Sequence, residues 1–352
     1  MSSIQKYLEE SLKKNTNNIL GIPIPNFGND IAVKLIDRID KIRLYAHCYA
    51  FQYNFEYGSF DITDLIRFAY QEGLQGVSVH IGSGGKRALR YKTRSELKEI
   101  KLYAEKLGLG INLDISSTDK NEIDEAVRIA LTLGVQNIRV YIRYSGRVSK
   151  IIERGIEDLK EIGKIAIEKD LFFTLEQHED LKSHELVRII EAVNNDRIGL
   201  LFDFGNMINA YEEPLPALET MAPYIRQVHL KGVRRIKIGK GFGHIGVAEE
   251  EGDLPQMKML FDLLLLGERN SSIGAYSLEQ VINYSSPAFR FEGEEYDPLI
   301  AERDPSTTPL DSGIPLKDSL LKEIKNSSDQ VHFIGKLLEK LRTIAEVQLK
   351  CH

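Results

Sequence analysis

Four ionisable side chains stand at the ends of apolar runs and are of the types that bind metal ions. They are Glu176 in "FFTLEQ", Asp203 in "IGLLFDF", His229 in "IRQVHLK" and Glu279 in "AYSLEQV". If these runs are neighbouring strands, three carboxylates and one imidazole converge on one point, where the acids repel one another unless a cation lies between them. The residue types therefore indicate a site for one divalent metal ion.

Taken singly, each of these residues has an ordinary structural explanation. An acid at a strand end is most often solvated or caps a helix, and His229 alone could be a hydrogen-bonded core histidine. Four ligand types in succession are hard to explain in that way, so we favour the metal site. Three oxygen donors with one nitrogen suit Mn²⁺ first, then Mg²⁺, Co²⁺ or Zn²⁺. The absence of a thiolate ligand argues against a structural zinc site.

The four runs belong to a series of eight short β-prone segments separated by longer amphipathic helical patterns. The segments are 43–51, 76–81, 110–116, 137–143, 172–177, 198–204, 225–231 and 275–281. Helical patterns between them include "SELKEIKLYAEKLGL" (95–109), "NEIDEAVRIALTLGV" (121–135) and "RGIEDLKEIGKIAIEKD" (154–170). Strands that alternate with helices at this spacing predict consecutive βα units and a parallel sheet.

Two parallel architectures compete, and the glycine pattern separates them. A doubly wound sheet usually has a glycine-rich phosphate turn after its first strand, and none follows segment 43–51. The run "HIGSGGKR" after the second segment lacks the spacing of a P-loop. Eight units favour an α/β fold of the (β/α)8 TIM-barrel type, whose active site lies at the C-terminal ends of the strands. Those ends carry His47, His80, Asp114, Arg143, Glu176 with His178, Asp203, His229 with Lys231, and Glu279.

We interpret the whole chain, residues 1–352, as a single TIM-barrel domain. The barrel core is expected over 43–282, after an N-terminal helical extension within 1–40. A Pro-, Ser- and acid-rich loop, 283–316, follows the eighth strand and is placed to cover the barrel mouth like a lid. An amphipathic C-terminal helix is predicted over 317–349.

The glycine-rich segment 239–260 lies between the seventh and eighth strands. Its acidic run, Glu249 to Glu251, works against a phosphate cradle, because like charges repel an anion. We therefore expect an ordinary loop in which Asp253 caps the next helix.

Composition narrows the class of protein and its compartment. The chain has 352 residues, of which 42% are hydrophobic, so a large core is within reach. A net charge of −6 with interspersed signs argues against a nucleic-acid partner. The two cysteines, Cys48 and Cys351, are at opposite ends of the chain, which fits a reducing cytosol. No apolar run is long enough to cross a membrane, so we expect a cytoplasmic protein without a membrane partner.

The segments "TLEQH", "LLFDFGN", "VHLKG" and "YSLEQV" resemble the xylose isomerase-like TIM-barrel superfamily of sugar isomerases, epimerases and related enzymes. In its single-metal epimerase branch, the ligands come from strands five to eight in the order Glu, Asp, His, Glu. That order falls on Glu176, Asp203, His229 and Glu279. Two positions depart from the pattern, because Gly232 replaces a frequent Asp and Asn206 replaces the His of ketohexose epimerases.

The resemblance implies a divalent-metal-dependent sugar isomerase or epimerase that works through a cis-enediolate of a ketose or keto-sugar. Glu176 and Glu279 would be the catalytic base and acid, while the metal acts as a Lewis acid. The expected partner is a small-molecule sugar, and the family implies a homo-oligomer, a dimer or a tetramer. The candidate substrate-binding residues are His178, Lys231, His47, His80, Asn206 and Arg235.

Three other functions stay open at this point. A metal-dependent lyase uses the same chemistry to eliminate water, carbon dioxide or a β-leaving group from a 3-keto sugar or sugar acid. A nuclease of the apurinic-endonuclease type shares the barrel, but the single metal set and a pI near 5.9 count against it. A catalytically silent barrel would be expected to have lost a ligand, and all four are present.

Overall fold

Eight parallel strands form a closed barrel in the computed structural model, which describes residues 24, 26–302 and 314–350. Each strand pairs with the next along the chain, and the eighth pairs with the first. The strands are β1 (Leu44–His47), β2 (Gly76–His80), β3 (Gly110–Asp114), β4 (Asn137–Val140), β5 (Phe172–Glu176), β6 (Ile198–Asp203), β7 (Ile225–Leu230) and β8 (Ala275–Leu278). The predicted (β/α)8 fold is therefore confirmed. The strands are shorter than the apolar segments from which they were predicted.

Helices surround the barrel because each buries one apolar face against the strands. They are α1 (Asn29–Asp40), α2 (Ile62–Gln71), α3 (Arg94–Lys106), α4 (Lys120–Leu133), α5 (Val148–Lys169), α6 (Ser183–Val193), α7 (Pro214–Met221), α8 (Gln256–Leu264) and α9 (Leu316–Lys350). A short helix, Gln52–Tyr57, follows β1. Local signals fix several ends: Thr93 and Glu96 form a capping box at the start of α3, and α4 stops at Gly134 in the left-handed conformation.

A β-hairpin follows β7, in a region where the glycine-rich sequence predicted only a loop. Its strands, Val233–Ile238 and Gly241–Gly246, are joined by a tight turn in which Gly239 has φ +59°. Ser285–Ser286 adds a third antiparallel strand. The prediction that Asp253 caps the next helix is wrong, because its carboxylate accepts the backbone N–H of Arg235 in this hairpin, at 2.7 Å. The helix begins after Pro255 instead.

The described part of the segment after β8 is tied to the rest of the barrel. Leu299–Ile300 pairs with Gly146–Arg147, which precedes α5. Asp297 accepts the backbone N–H and the hydroxyl of Ser149, both at 2.8 Å. Residues 284–302 thus form a fixed wall, while 303–313 of the predicted lid lie outside the described residues.

The C-terminal helix reaches from the barrel mouth to α1. Near the mouth, the Gln330 side chain donates to the carbonyl of Leu230 at the end of β7 and accepts from the N–H of Gln280. Further along, α9 packs against α1 and pairs Arg342 with Asp40. The predicted N-terminal extension is α1 in its described part, since residues 1–23 and 25 lie outside it. No described helix is long and apolar enough to cross a membrane.

Candidate active site

The C-terminal ends of β5 to β8 bring the four expected metal ligands together. Glu176 ends β5, Asp203 ends β6, His229 precedes the last residue of β7, and Glu279 directly follows β8. The Nδ1 atom of His229 lies 3.4 Å from Glu176 Oε1 and 3.2 Å from Glu279 Oε2. It lies 3.9 Å from Asp203 Oδ2. All four side chains are buried.

The two shorter of these distances, to Glu176 and Glu279, are those of a coordination sphere. Ligand atoms bonded to one ion at 2.0–2.2 Å lie about 3–3.5 Å from one another. Two of the facing atoms, His229 Nδ1 and Glu279 Oε2, have no hydrogen-bond partner among the described residues. Because a buried polar atom without a partner is costly, an ion placed between them would repay that cost. The four residues therefore fit a divalent cation.

The pKa shifts within the cluster also indicate a site for a positive ion. Burial raises the pKa of Asp203 to about 7, although Lys231 opposes the shift, and the neighbouring carboxylates add to it. Burial lowers the pKa of His229, but Glu279 and Glu176 outweigh it and raise that pKa to about 9. The protein thus draws positive charge to this point, and a divalent ion would supply it.

Lys231 lies beside the cluster and is held by two side chains from the end of β6. Its Nζ is 2.9 Å from Asp203 Oδ2 and donates to Asn206 Oδ1 at 3.0 Å. Asn206 is fixed in turn, because its amide donates to the carbonyl of Gln177 at 3.0 Å and its N–H to Asp203. The departure at Asn206 therefore gives a side chain that orients a lysine.

A second buried pair lies behind the cluster. His47 Nε2 is 2.7 Å from Asp114 Oδ2, and His47 Nδ1 accepts the N–H of Tyr49 at 3.0 Å. Both ring nitrogens are therefore engaged, with the proton on Nε2. His47, Asp114 and His229 are close enough to hold an ion in principle. We place the ion at the four-residue cluster because His229 Nδ1 and Glu279 Oε2 face each other there without hydrogen-bond partners among the described residues.

Arg139 is a charged residue of the candidate site that sequence reasoning missed. It points inward from β4 and is 1% exposed. Its Nε lies 3.0 Å from Glu176 Oε2, and its Nη2 lies 3.8 Å from Asp114 Oδ2. The guanidinium also donates to the carbonyl of Ile115 at 2.8 Å. A permanent positive charge therefore lies on the outer side of Glu176 and fixes its orientation.

A cavity of about 670 Å³ opens above the cluster. Glu176 and Glu279 line it, while Asp203 and His229 lie beneath its floor. His178 forms part of one wall and stacks on Tyr141, with ring centres 4.1 Å apart. Another part of the lining comes from the segment after β8, through Tyr284, Pro287, Ala288, Phe289 and Phe291.

Some of the predicted substrate-binding residues line this cavity and others do not. Lys231 and Asn206 line it together with His178, whereas His47 lies below the floor and is 0% exposed. His80 does not line it: the N–H of Gly82 donates to His80 Nδ1, and Ser116 contacts Nε2. Arg235 lies on the hairpin, outside the cavity, and forms a bidentate ion pair with Glu213 at 2.6 and 2.8 Å.

His244 of the hairpin lines the cavity and was not predicted. Its Nδ1 is 2.6 Å from Asn209 Oδ1. The Asn209 amide donates to the carbonyl of Pro287, which fixes the orientation of the amide and so makes Nδ1 the donor. Burial, aided by Lys231, lowers the pKa of His244 to about 3. Its imidazole is therefore neutral, with the lone pair on Nε2.

The surroundings of Gly232 explain why this position has no aspartate, the second departure from the family pattern. A Cβ atom at this position would lie 2.5 Å from the carbonyl oxygen of Val247 and 2.8 Å from the backbone of Glu249. Gln280 closes the same contact, because its side chain accepts the Gly232 N–H at 2.7 Å and donates to the carbonyl of Val247. The hairpin return thus occupies the space that an aspartate side chain would need.

The sequence profile of the xylose isomerase-like TIM barrel family matches residues 44–264, and the chain belongs to this family. It is 38% identical over 311 residues to the uncharacterized protein YihM of Escherichia coli, covering 88% of this chain and 95% of YihM.

Two further comparisons involve proteins with named activities. An 82-residue stretch is 33% identical to inosose dehydratase 1 of Bacillus cereus and covers 22% of this chain and 28% of that protein. The structure of D-psicose 3-epimerase with D-tagatose, from Clostridium cellulolyticum, superposes with a TM-score of 0.57 at 14% identity. That superposition covers 84% of this chain and 99% of the epimerase, and at this identity it shows the fold alone.

Proposed function

We propose that the protein is a divalent-metal-dependent sugar isomerase or epimerase. One observation carries the proposal: of the four cluster residues, the two that line the cavity are both carboxylates, Glu176 and Glu279. Each can meet the substrate from a different strand, β5 on one side and β8 on the other. A pair of bases on two sides of a bound sugar is what removal and return of one proton requires.

The chain's own residues suit the steps of this chemistry. When bound, the ion supplies a Lewis acid that acidifies the C–H bond beside a carbonyl group, and the donor set leads us to propose Mn²⁺. Glu176, oriented by Arg139, would take the proton as general base, and Glu279 would return one as general acid. The Lys231 ammonium, held by Asn206, is placed to donate to an oxygen that gains negative charge.

The outcome depends on where the proton returns. Return to the opposite face of the same carbon gives epimerisation, whereas return to the neighbouring carbon gives isomerisation. The cavity is closed on one side by the fixed wall of residues 284–302, which limits water access to the reacting carbon.

A metal-dependent lyase is the second candidate, and the local identity to inosose dehydratase 1 favours it. The same first proton removal, followed by loss of a hydroxyl group, eliminates water instead of completing an exchange. Lys231 or Glu279 would then protonate the leaving oxygen.

An NMR time course in deuterated water separates the two candidates. The purified protein with Mn²⁺ is incubated with a panel of ketoses and 3-keto sugars. Solvent deuterium that enters a sugar without loss of carbon or water supports the isomerase or epimerase, and an unsaturated or shortened product supports the lyase. No change in any sugar would contradict both.

Matched variants connect the result to the site. Glu176→Gln and Glu279→Gln should each reduce deuterium exchange by about 100-fold or more at saturating metal. Glu99→Gln makes the same chemical change at an exposed position of α3 that does not line the cavity, and should keep exchange near the wild-type rate.

A further inference from the structure

Three positively charged side chains line the cavity, and two of them are paired with carboxylates of the cluster. Arg139 lies 3.0 Å from Glu176, and Lys231 lies 2.9 Å from Asp203. The third, Arg143, forms no ion pair with a described residue, and its Nη1 contacts the phenolic oxygen of Tyr141 at 3.5 Å. Its side chain is exposed at the rim, so a ligand can reach it.

Tyr141 sets the position of Arg143 relative to the cluster. The Tyr141 ring stacks on His178, and the guanidinium of Arg139 lies 5.3 Å from its centre. Held by both neighbours, the ring extends its hydroxyl group towards Arg143. One tyrosine side chain therefore separates the cation that touches Glu176 from the cation at the rim, and positions 139, 141 and 143 all line the cavity.

Because Tyr141 lies between Arg139 and Arg143, the cavity has two separate regions, an inner and an outer end, that could bind different parts of one substrate. The inner end holds the cluster residues Glu176 and Glu279, where the proposed proton transfers take place. The outer end offers a planar guanidinium group, whose donors match the two oxygens of a carboxylate or a phosphate. A neutral sugar would offer this guanidinium group no counter-charge, whereas an anionic sugar would.

We propose that Arg143 binds an anionic group of the substrate, a carboxylate or a phosphate, at the end of the molecule remote from the reacting carbon. The inference rests on the proposed function, since it assigns the substrate class of the same cavity: an acidic or phosphorylated keto-sugar. Arg143 is then a specificity residue that contributes to substrate binding and takes no part in proton transfer.

The test compares three sugars and four proteins in the presence of Mn²⁺. The sugars are a neutral ketohexose, a keto-hexonate and a ketohexose 6-phosphate. The proteins are the wild type, Arg143→Met, Arg143→Lys and the control Arg128→Met. Arg128 is an exposed arginine of α4 that does not line the cavity. Two readouts are taken, KM and kcat from deuterium exchange and the ligand-induced rise in Tm.

At least one anionic sugar should have a KM about tenfold or more below that of the neutral ketohexose, the size of one charged hydrogen bond. Arg143→Met should remove that preference through KM with kcat little changed, Arg143→Lys should keep part of it, and Arg128→Met all of it. Whether the keto-hexonate or the 6-phosphate gains more identifies the anion.

Two results would overturn the assignment. The neutral ketohexose could be processed as well as both anionic sugars, or Arg143→Met could keep the wild-type preference; either leaves the proposed function standing. If no sugar exchanges deuterium, the proposed function fails, and the Tm readout decides alone. A rise with an anionic sugar that Arg143→Met abolishes would still support the anion site, and equal rises or none would refute it.

Discussion

The Nε atom of Arg139 lies 3.0 Å from Oε2 of Glu176 inside the barrel, and both side chains are buried. The same guanidinium reaches Asp114 at 3.8 Å. The Asp114 carboxyl is fully buried, which alone would raise its pKa, but Arg139 and His47 hold that pKa well below its usual range. One arginine therefore contacts two carboxylates. It holds the side chain of Glu176, a residue of the cluster, in position without an ion.

Arg139→Gln tests this relationship through stability. Removing one partner of a buried ion pair leaves uncompensated charge, so the free energy of unfolding should fall by roughly 3–5 kcal/mol. Added Mn²⁺ should recover more stability in this variant than in the wild type, because it supplies positive charge beside Glu176. Urea unfolding with and without the ion measures both effects. Unchanged stability would contradict the role assigned to Arg139.

Glu249 predicts a pH-dependent stability. It is buried in the turn after the hairpin, and burial raises its pKa to about 8 from 4.5. Between these values the folded state keeps a proton that the unfolded state releases, so stability falls as the pH rises through this window. Glu249→Gln should be close to the wild type in stability near pH 5 and be more stable above pH 8, by on the order of 4–5 kcal/mol.

The control for this change is Glu250→Gln, the exposed neighbour in the same turn. It should leave the slope of stability against pH as it is in the wild type. Unfolding curves at several pH values that show the same slope for Glu249→Gln and the wild type would refute the prediction.

Gly232 and Gly335 should respond in opposite directions to the same substitution. Gly232→Ala forces a Cβ atom against the backbone of Val247 and Glu249, and should cost about 1–3 kcal/mol. Gly335 lies inside α9 with nothing within 4 Å of an added Cβ, so Gly335→Ala should stabilise by about 0.5–1 kcal/mol. Thermal unfolding of both variants gives the comparison, and a harmless Gly232→Ala would mean that the hairpin can move away.

The fold and the candidate metal cluster could be predicted from the sequence because both depend on strong, regular signals. Eight apolar runs with helical patterns between them define the barrel, and its topology brings the strand ends to one rim. Glu176, Asp203, His229 and Glu279 follow from that geometry, since each stands where its own run stops. Long-range contacts were not needed to find them.

The parts that were missed depend on contacts between distant segments. Arg139 sits in the middle of "NIRVYIR", where an alternating strand gives no reason to place a charge inside, and its partner Glu176 is a strand away. The hairpin after β7 was missed because its second strand, "GFGHIG", has glycine at three of its six positions and therefore lacks the alternation of a typical strand. His244 could not be predicted as a site residue, because the hairpin brings it to the cavity and to its partner Asn209, 35 positions earlier in the chain.

The most direct test of the proposed metal centre is the metal content and metal response of the purified protein. We predict one divalent ion per chain by native mass spectrometry. We also expect Tm to rise by about 5 °C at an ion concentration about 100 times the dissociation constant. Asp203→Asn should abolish both results, and the control Glu99→Gln, at an exposed position of α3, should keep them. A wild-type protein that binds no divalent ion, with no shift in Tm, would contradict the central claim.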